Sequence, residues 1–479
     1  MNCKLITILA ILFLTVANRG QLKAQNSERN KSVNQFSFDL YHEVKLEKGN
    51  VFLSPLSTYY ALLSIYEGSE NKTKAAFEKV LYLKDSSFSK NDNLHEFALK
   101  TDSLSSLKVS NAIWLDKRFQ EEAVFRNVVS AKYGSDFKQT DFKNTEQAVS
   151  DINRWVADKT NQRITNMVIP SEIKSKTKLM ILNAVYFKGE WLNKFEKLRT
   201  AESTFFTDNE NQCKIDFMNI TEKLNYFENE AFQFINKPYK DSDLSFCILL
   251  PKELYGLEDI EESLNADFLN EILEKTATKK VWLSMPKIKM EESYKLKSAL
   301  TNMGLNIVFT NDADFSGITK KESINIEQVS HKSYIDLNED HTEAAAATTT
   351  TTFITGAPSY TSFKADHPFL FFIVDNKTKA MVFMGRYEKP QGGEIVDKAN
   401  FVDNLLKRNR NKLDWSDNDK ILILISDGKK MKKVDIQDVN FNDIEHLEVY
   451  KNEDVKKYTT EDYYGVVVLT VKKNKKSTK

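Results

Sequence analysis

Residues 342–352 read Thr-Glu-Ala-Ala-Ala-Ala-Thr-Thr-Thr-Thr-Thr, and no other stretch of the chain limits its fold as tightly. The four alanines favour helix. The threonines favour extended backbone, because branching at Cβ restricts their rotamers. As a strand, the run would place Thr342, Ala344, Ala346, Thr348, Thr350 and Thr352 on one face. That face is small and uncharged, so it can slide into a sheet and over a packed core, while Glu343 falls on the solvent side. The run therefore suits both an exposed loop and an internal strand. Taken alone it also reads as a low-complexity or O-glycosylated linker. A linker would separate two domains, whereas the apolar stretches that follow, Phe369 to Val374 and Ala380 to Met384, look like core of the body that precedes them. A flexible loop embedded in a domain is more often functional than accidental.

The 479 residues suggest two to three domains on length alone, and 41% hydrophobic with 28% charged residues describes a soluble chain with a large core. Lys+Arg and Asp+Glu are equal at 68, so no overall field draws the chain to nucleic acid. Residues 85–100 lack a basic cluster, so no heparin site is expected, and the basic run Lys472 to Lys479 reads as a solvated chain end. Residues 1–25 read as a signal peptide: Lys4 precedes an apolar stretch from Leu5 to Ala17, too short to span a bilayer. Cleavage is expected near Ala24. The mature chain is then exported, either secreted or in the periplasm or cell envelope. Cys213 and Cys247 remain after processing, and a free buried thiol at Cys247 is preferred to a disulfide with Cys213. The six histidines show no metal-ligand spacing, and neither a G-x-S-x-G elbow nor a Gly-rich phosphate loop occurs. No metal, cofactor or enzyme activity is expected.

Helical patterns run from Val33 to about Leu83, broken at Ser54-Pro55, and again at Glu146 to Thr160, Asp259 to Lys275 and Tyr294 to Met303. Val109 to Leu115, Leu179 to Lys188, Phe246 to Leu250 and Lys280 to Met285 read as strands. The irregular mixture implies an α+β fold. After Lys389-Pro390-Gln391-Gly392-Gly393 the character changes: Phe401 to Leu406 has helical spacing, and strands are expected at Lys420 to Ile425, Ile444 to Val449 and Val466 to Val471. Residues 391–479 are taken as a separate small α+β domain.

Several motifs, in order, resemble the serpin family over roughly residues 30–390. They are Asn50-Val-Phe52-Leu-Ser54-Pro55-Leu-Ser57, Asn183-Ala-Val-Tyr-Phe187-Lys188-Gly189-Glu-Trp191 with Phe195 and Thr200, Pro238-Tyr239, and Leu249-Leu250-Pro251. His331 to Glu339 followed by Thr342 to Ala345 looks like the strand and hinge, and Phe363 to Phe371 with Met384-Gly385-Arg386 like the closing strands. The resemblance implies three β-sheets, about eight to nine helices and an exposed reactive-centre loop. It also implies a suicide mechanism, in which a protease cuts the loop and forms an acyl-enzyme. The freed loop then inserts into the central sheet and distorts the oxyanion hole before deacylation.

Carried over residue by residue, the hinge comprises Glu339, Thr342, Glu343, Ala344, Ala345, Ala346 and Ala347. Glu339 resembles the acid that pairs with a lysine, here Lys287, at the top of the sheet, and Trp191 the aromatic at that opening point. Ser54, Ser57, Asn183 and His331 resemble the polar cluster under the sheet's centre. His341 stands where inhibitory members usually carry glycine, so a non-inhibitory serpin acting as carrier is the alternative. Counting from the hinge puts the scissile bond between Thr355 and Gly356, with Ile354 and Ala357 as alternatives. These residues are small or aliphatic and point to elastase-like or papain-like proteases as partners, with the inhibitor acting as a monomer. Asp427-Gly428, Asp443-Ile444-Glu445, Leu447-Glu448-Val449, Lys451, Tyr464 to Val467 and Thr470 resemble part of the plug domain of TonB-dependent outer-membrane receptors, which implies a Gram-negative bacterial source and an envelope partner for residues 391–479.

Overall fold

A computed structural model of the chain describes residues 30–45, 49–83, 107–207, 212–339, 360–390, 394–396, 421–426, 430–433, 444–461, 463 and 465–471. The chain divides into two compact units. The first comprises Met1–Thr200, Met218–Ala365 and Phe369–Lys389, and the second Ala201–Phe217, Asp366–Pro368 and Pro390–Lys479. Among the described residues the fold is α+β with eight helices and three sheets, in keeping with the fold that the serpin motifs imply.

Within the first unit a five-stranded sheet is built from β2 (Leu107–Asp116), β3 (Asp136–Thr140), β4 (Leu179–Phe187), β10 (Ile288–Lys295) and β11 (Ile326–Leu337). Its order is β10-β11-β4-β2-β3. Every residue of β4 is buried, as a strand covered on both faces must be. One face packs under the helix Thr145–Lys159 and the chain that follows it, where Trp155, Ile152, Met167 and Val168 meet Met180, Leu182, Tyr186 and Tyr334. β11 and β4 run parallel, pairing Val329 with Ile181, His331 with Asn183 and Ile335 with Phe187.

Further strands of the first unit include β1 (Val51–Leu53), β7 (Phe232–Pro238), β8 (Leu244–Pro251), β9 (Ala277–Pro286), β13 (Phe369–Asp375) and β14 (Met381–Tyr387). Ser54 ends β1 and caps the helix Pro55–Tyr66: its hydroxyl accepts from the Ser57 amide at 3.3 Å, and proline at the first helical turn costs no hydrogen bond. β13 and β14 are buried throughout, and Gly385 lets the Phe371 ring lie against the backbone, where an added Cβ would stand 2.2 Å from it. β12 (Thr361–Lys364) closes the row as an edge strand parallel to β9, Thr361 opposite Val281.

In the second unit, β5 (Ala201–Phe206) and β15 (Glu394–Val396) both pair antiparallel with the stretch that opens β6 (Gln212–Glu228). A four-stranded sheet there has the order β17-β16-β19-β18, from Met431–Lys433, Ile421–Ser426, Gly465–Val471 and Ile444–Lys451. Leu422, Leu424, Val455, Val466 and Val468 form its apolar cluster.

Two expectations change. The helix expected over Asp259 to Lys275 is two, Leu257–Glu262 and Ala266–Lys275, because Asn265 caps a new start by accepting from the Phe268 amide at 2.9 Å. The helix expected from Tyr294 begins only at Lys297, since Tyr294 belongs to β10 and pairs with His331. Residues 401–406, read as helical from their spacing, lie outside the described residues.

Candidate functional site: the seam between β11 and β4

A row of polar side chains crosses the five-stranded sheet at one level. Tyr294, His331, Asn183 and Asn111 are register partners on β10, β11, β4 and β2. Beneath them lies the start of the helix Pro55–Tyr66. His331 Nε2 accepts from the Ser54 amide at 3.0 Å, and its Nδ1 faces the Asn183 side-chain oxygen. Asn183 in turn donates from Nδ2 to the hydroxyl of Ser57 and the amide oxygen of Asn111. Ser54 donates to the Val382 carbonyl at 2.8 Å, and Ser333 to the Phe52 carbonyl at 2.6 Å. His331, Asn183 and Ser54 are wholly inaccessible to solvent. A ring nitrogen that accepts an amide hydrogen requires neutral imidazole, and burial accordingly pushes the His331 pKa down to about 3. The Tyr294 ring stacks on His331 with centroids 6.1 Å apart.

A second cluster closes the end of the sheet where β11 finishes. The Glu339 carboxylate lies 3.0 Å from the Lys287 ammonium and accepts from the Thr200 hydroxyl at 2.5 Å. Burial alone would raise its pKa, but the bonds from Thr200, its own backbone and Lys287 outweigh burial and hold the carboxyl below its usual range. Trp191 donates its indole N–H to the Asn338 carbonyl at 3.0 Å. The indole stacks on Tyr239 at 4.7 Å and meets Phe195 and Phe246 edge-on. Asn338 and Glu339, the last described residues after β11, are thus held by three side chains from elsewhere in the unit.

The sequence-expected residues therefore form two groups: Ser54, Ser57, Asn183 and His331 at the centre of the seam, and Trp191, Lys287 and Glu339 at its end. The hinge residues Thr342, Glu343, Ala344, Ala345, Ala346 and Ala347 lie outside the described residues, as do Ile354, Thr355, Gly356 and Ala357. Sequence reasoning missed Asn111 and Tyr294. A lone amide inside the apolar run Val109 to Leu115 was the available signal for Asn111, since a buried amide needs partners. Cys213 and Cys247 are free and buried, and burial pushes both thiols up, Cys213 to about 11, which suits neither for nucleophilic catalysis.

Two polar clusters, one at the centre and one at the end of the parallel pair β11–β4, thus define the site. The family model for Serpin (serine protease inhibitor) matches residues 31–390, and the chain belongs to the serpin family. An uncharacterized serpin-like protein of Thermococcus kodakarensis is 37% identical over 76% of this chain and 86% of its own length. The leukocyte elastase inhibitor of Xenopus laevis is 33% identical over 74% of this chain and 97% of its own. Among solved structures, uncleaved ovalbumin aligns with a TM-score of 0.68 at 27% identity, covering 75% of this chain and all of ovalbumin.

Proposed function

We propose that the chain is an exported inhibitor of serine or cysteine proteases, with elastase-like or papain-like targets, that acts by loop cleavage, acyl-enzyme trapping and loop insertion. The observation that carries this reading is the direction of the strands. β11 and β4 are parallel neighbours, and the chain leaves the end of β11 immediately before residues 342–352. A strand formed by those residues and turned back between β11 and β4 runs antiparallel to both. Insertion then replaces one parallel interface with two antiparallel ones, each somewhat more stable per residue. The small, uncharged alanine and threonine face described above is one that can lie over a packed core.

Cleavage at Thr355–Gly356 supplies the release. Before it, Glu339 on one side and β12, paired with β9, on the other hold the two ends of the intervening segment. After it, the new amino terminus at Gly356 departs and the upstream part is free to fold back, with the residue 355 carbonyl still bonded to the protease as an ester (serine) or thioester (cysteine). Small or aliphatic side chains at Ile354, Thr355 and Ala357 favour enzymes with a small or aliphatic primary pocket. The likeness of residues 391–479 to a receptor plug supports a periplasmic or envelope location and an envelope partner for that part.

Mixing the purified chain with pancreatic elastase and with papain tests the proposal. An SDS-resistant complex, with the cut mapped between residues 354 and 357, is expected. Simple cleavage by both enzymes without a complex would instead support the carrier alternative, for which His341 in the hinge is the motivating residue.

A further inference from the structure

Lys237 is a buried ammonium built into the support of the Glu339 cluster. Its side chain is 1% exposed, at the end of β7, and forms an ion pair with Glu222, itself 8% exposed. Its Nζ donates to the Asn193 carbonyl at 2.9 Å and lies 5.3 Å from the Trp191 ring centre and 4.8 Å from that of Phe195. Glu222 also accepts from the Asn193 side-chain amide at 2.7 Å. The segment 191–195 is therefore wrapped around the ion pair: the Asn193 carbonyl and two aromatic rings meet the Lys237 ammonium, and the Asn193 side-chain amide meets the Glu222 carboxylate. Backbone bonds tie the same segment to the end of β7: the Leu192 amide to the Pro238 carbonyl at 3.1 Å, and the Lys240 amide to the Glu190 carbonyl at 2.7 Å.

We infer that the Lys237–Glu222 pair is a positioning device that sets the threshold for opening the seam. The line of action is short. Lys237 fixes the Trp191 ring, Trp191 holds the Asn338 carbonyl, and Asn338 precedes Glu339, the residue held by Lys287 and Thr200. A buried pair contributes little net stability, since desolvation offsets most of its attraction, but one arrangement alone satisfies it. Cation–π contact adds direction, because the ammonium must sit over both ring faces. An apolar side chain at residue 237 would fill the space without specifying where the indole points. The inference rests on the insertion mechanism proposed above and adds that release of the loop root is governed from β7.

The variants are Lys237→Met and the double variant Lys237→Met/Glu222→Gln, which leaves no unpaired buried charge. Two readouts apply to the full chain. The first is the rate at which uncleaved protein converts on storage to a form with the heat resistance of the nicked protein. The second is the number of inhibitor molecules consumed per pancreatic elastase trapped. Conversion should quicken by about tenfold or more. The consumption ratio should change with it, and Lys237→Arg should restore part of both. If neither methionine variant folds, Phe195→Leu keeps the ion pair, removes one ring, and should speed conversion by roughly threefold. Variants that fold, lose melting temperature alone and keep wild-type conversion and consumption would overturn the inference. A wild-type chain that forms no complex with elastase or papain would count against the inhibitor reading instead, and the conversion rates would still decide the role of Lys237.

Discussion

Acidification should weaken the intact fold through His331 by an amount that can be worked from its site. The folded-state pKa is about 3 against an ordinary value of 6.5, because burial opposes the charge. Since the folded value is depressed, the native chain stays unprotonated while the unfolded chain takes up a proton once the pH drops below 6.5. The stabilising contribution of the neutral ring is complete above 6.5 and shrinks as the pH falls toward 3. The slope approaches 1.4 kcal/mol per pH unit, so between about pH 7 and pH 4.5 the loss is roughly 2–3 kcal/mol. His331→Gln isolates this term: the amide can still accept from Ser54 and donate to Asn183 but cannot titrate in this range. Guanidinium midpoints of the intact chain, wild type and variant, are measured across the pH range. The gap between the two proteins should narrow as the pH falls, because only the wild type loses stability through residue 331. Parallel pH profiles would refute the reasoning and place a charged or solvated imidazole in the seam.

Three other outcomes follow from the same geometry. Glu339→Gln removes the charge facing Lys287; because that lysine is 38% exposed, the loss should stay near 1 kcal/mol by denaturant titration, while storage conversion accelerates. Because the Glu339 pKa is held low, its contribution in the wild type is complete above the ordinary carboxyl value and fades as the pH falls through the lower folded one, so the variant's deficit should vanish in acid. Gly385→Ala drives a methyl group into the Phe371 ring, a buried overlap that should cost about 1–3 kcal/mol or block folding, read by circular dichroism. Removing residues 397–479, which leaves β15 paired with Gln212 to Lys214, should leave complex formation with elastase intact, and loss of trapping would give that segment a part in inhibition.

Strands buried on both faces were legible because a continuous apolar run has few other destinations: Leu179 to Lys188 in the sequence became β4. The start of the helix Pro55–Tyr66 was legible for a different reason, the local chemistry of Ser54 and Pro55. β10 was missed although Ile288 and Met290 alternate with exposed Lys289 and Glu291, because the helical spacing of the helix that starts at Lys297 was read back to Tyr294. The polar row is a tertiary object. Tyr294, His331, Asn183 and Asn111 lie on four strands brought into register only by the sheet, so spacing along the chain carries no trace of it, and the family resemblance alone singled out His331 and Asn183. Lys237 gave no signal at all. A lysine beside proline at a strand end reads as solvent-facing until Glu222, Asn193 and two aromatic rings are seen around it.

Stored energy in the uncut chain is the claim on which the inhibitor reading stands, and comparative melting of intact and singly nicked protein measures it directly. Insertion of residues 342–352 would add on the order of 10 backbone hydrogen bonds at about 1 kcal/mol each, enough to raise the melting temperature by at least about 15 °C. A nicked protein that melts at or below the temperature of the intact one would show that cutting releases nothing, and trapping by insertion would be ruled out.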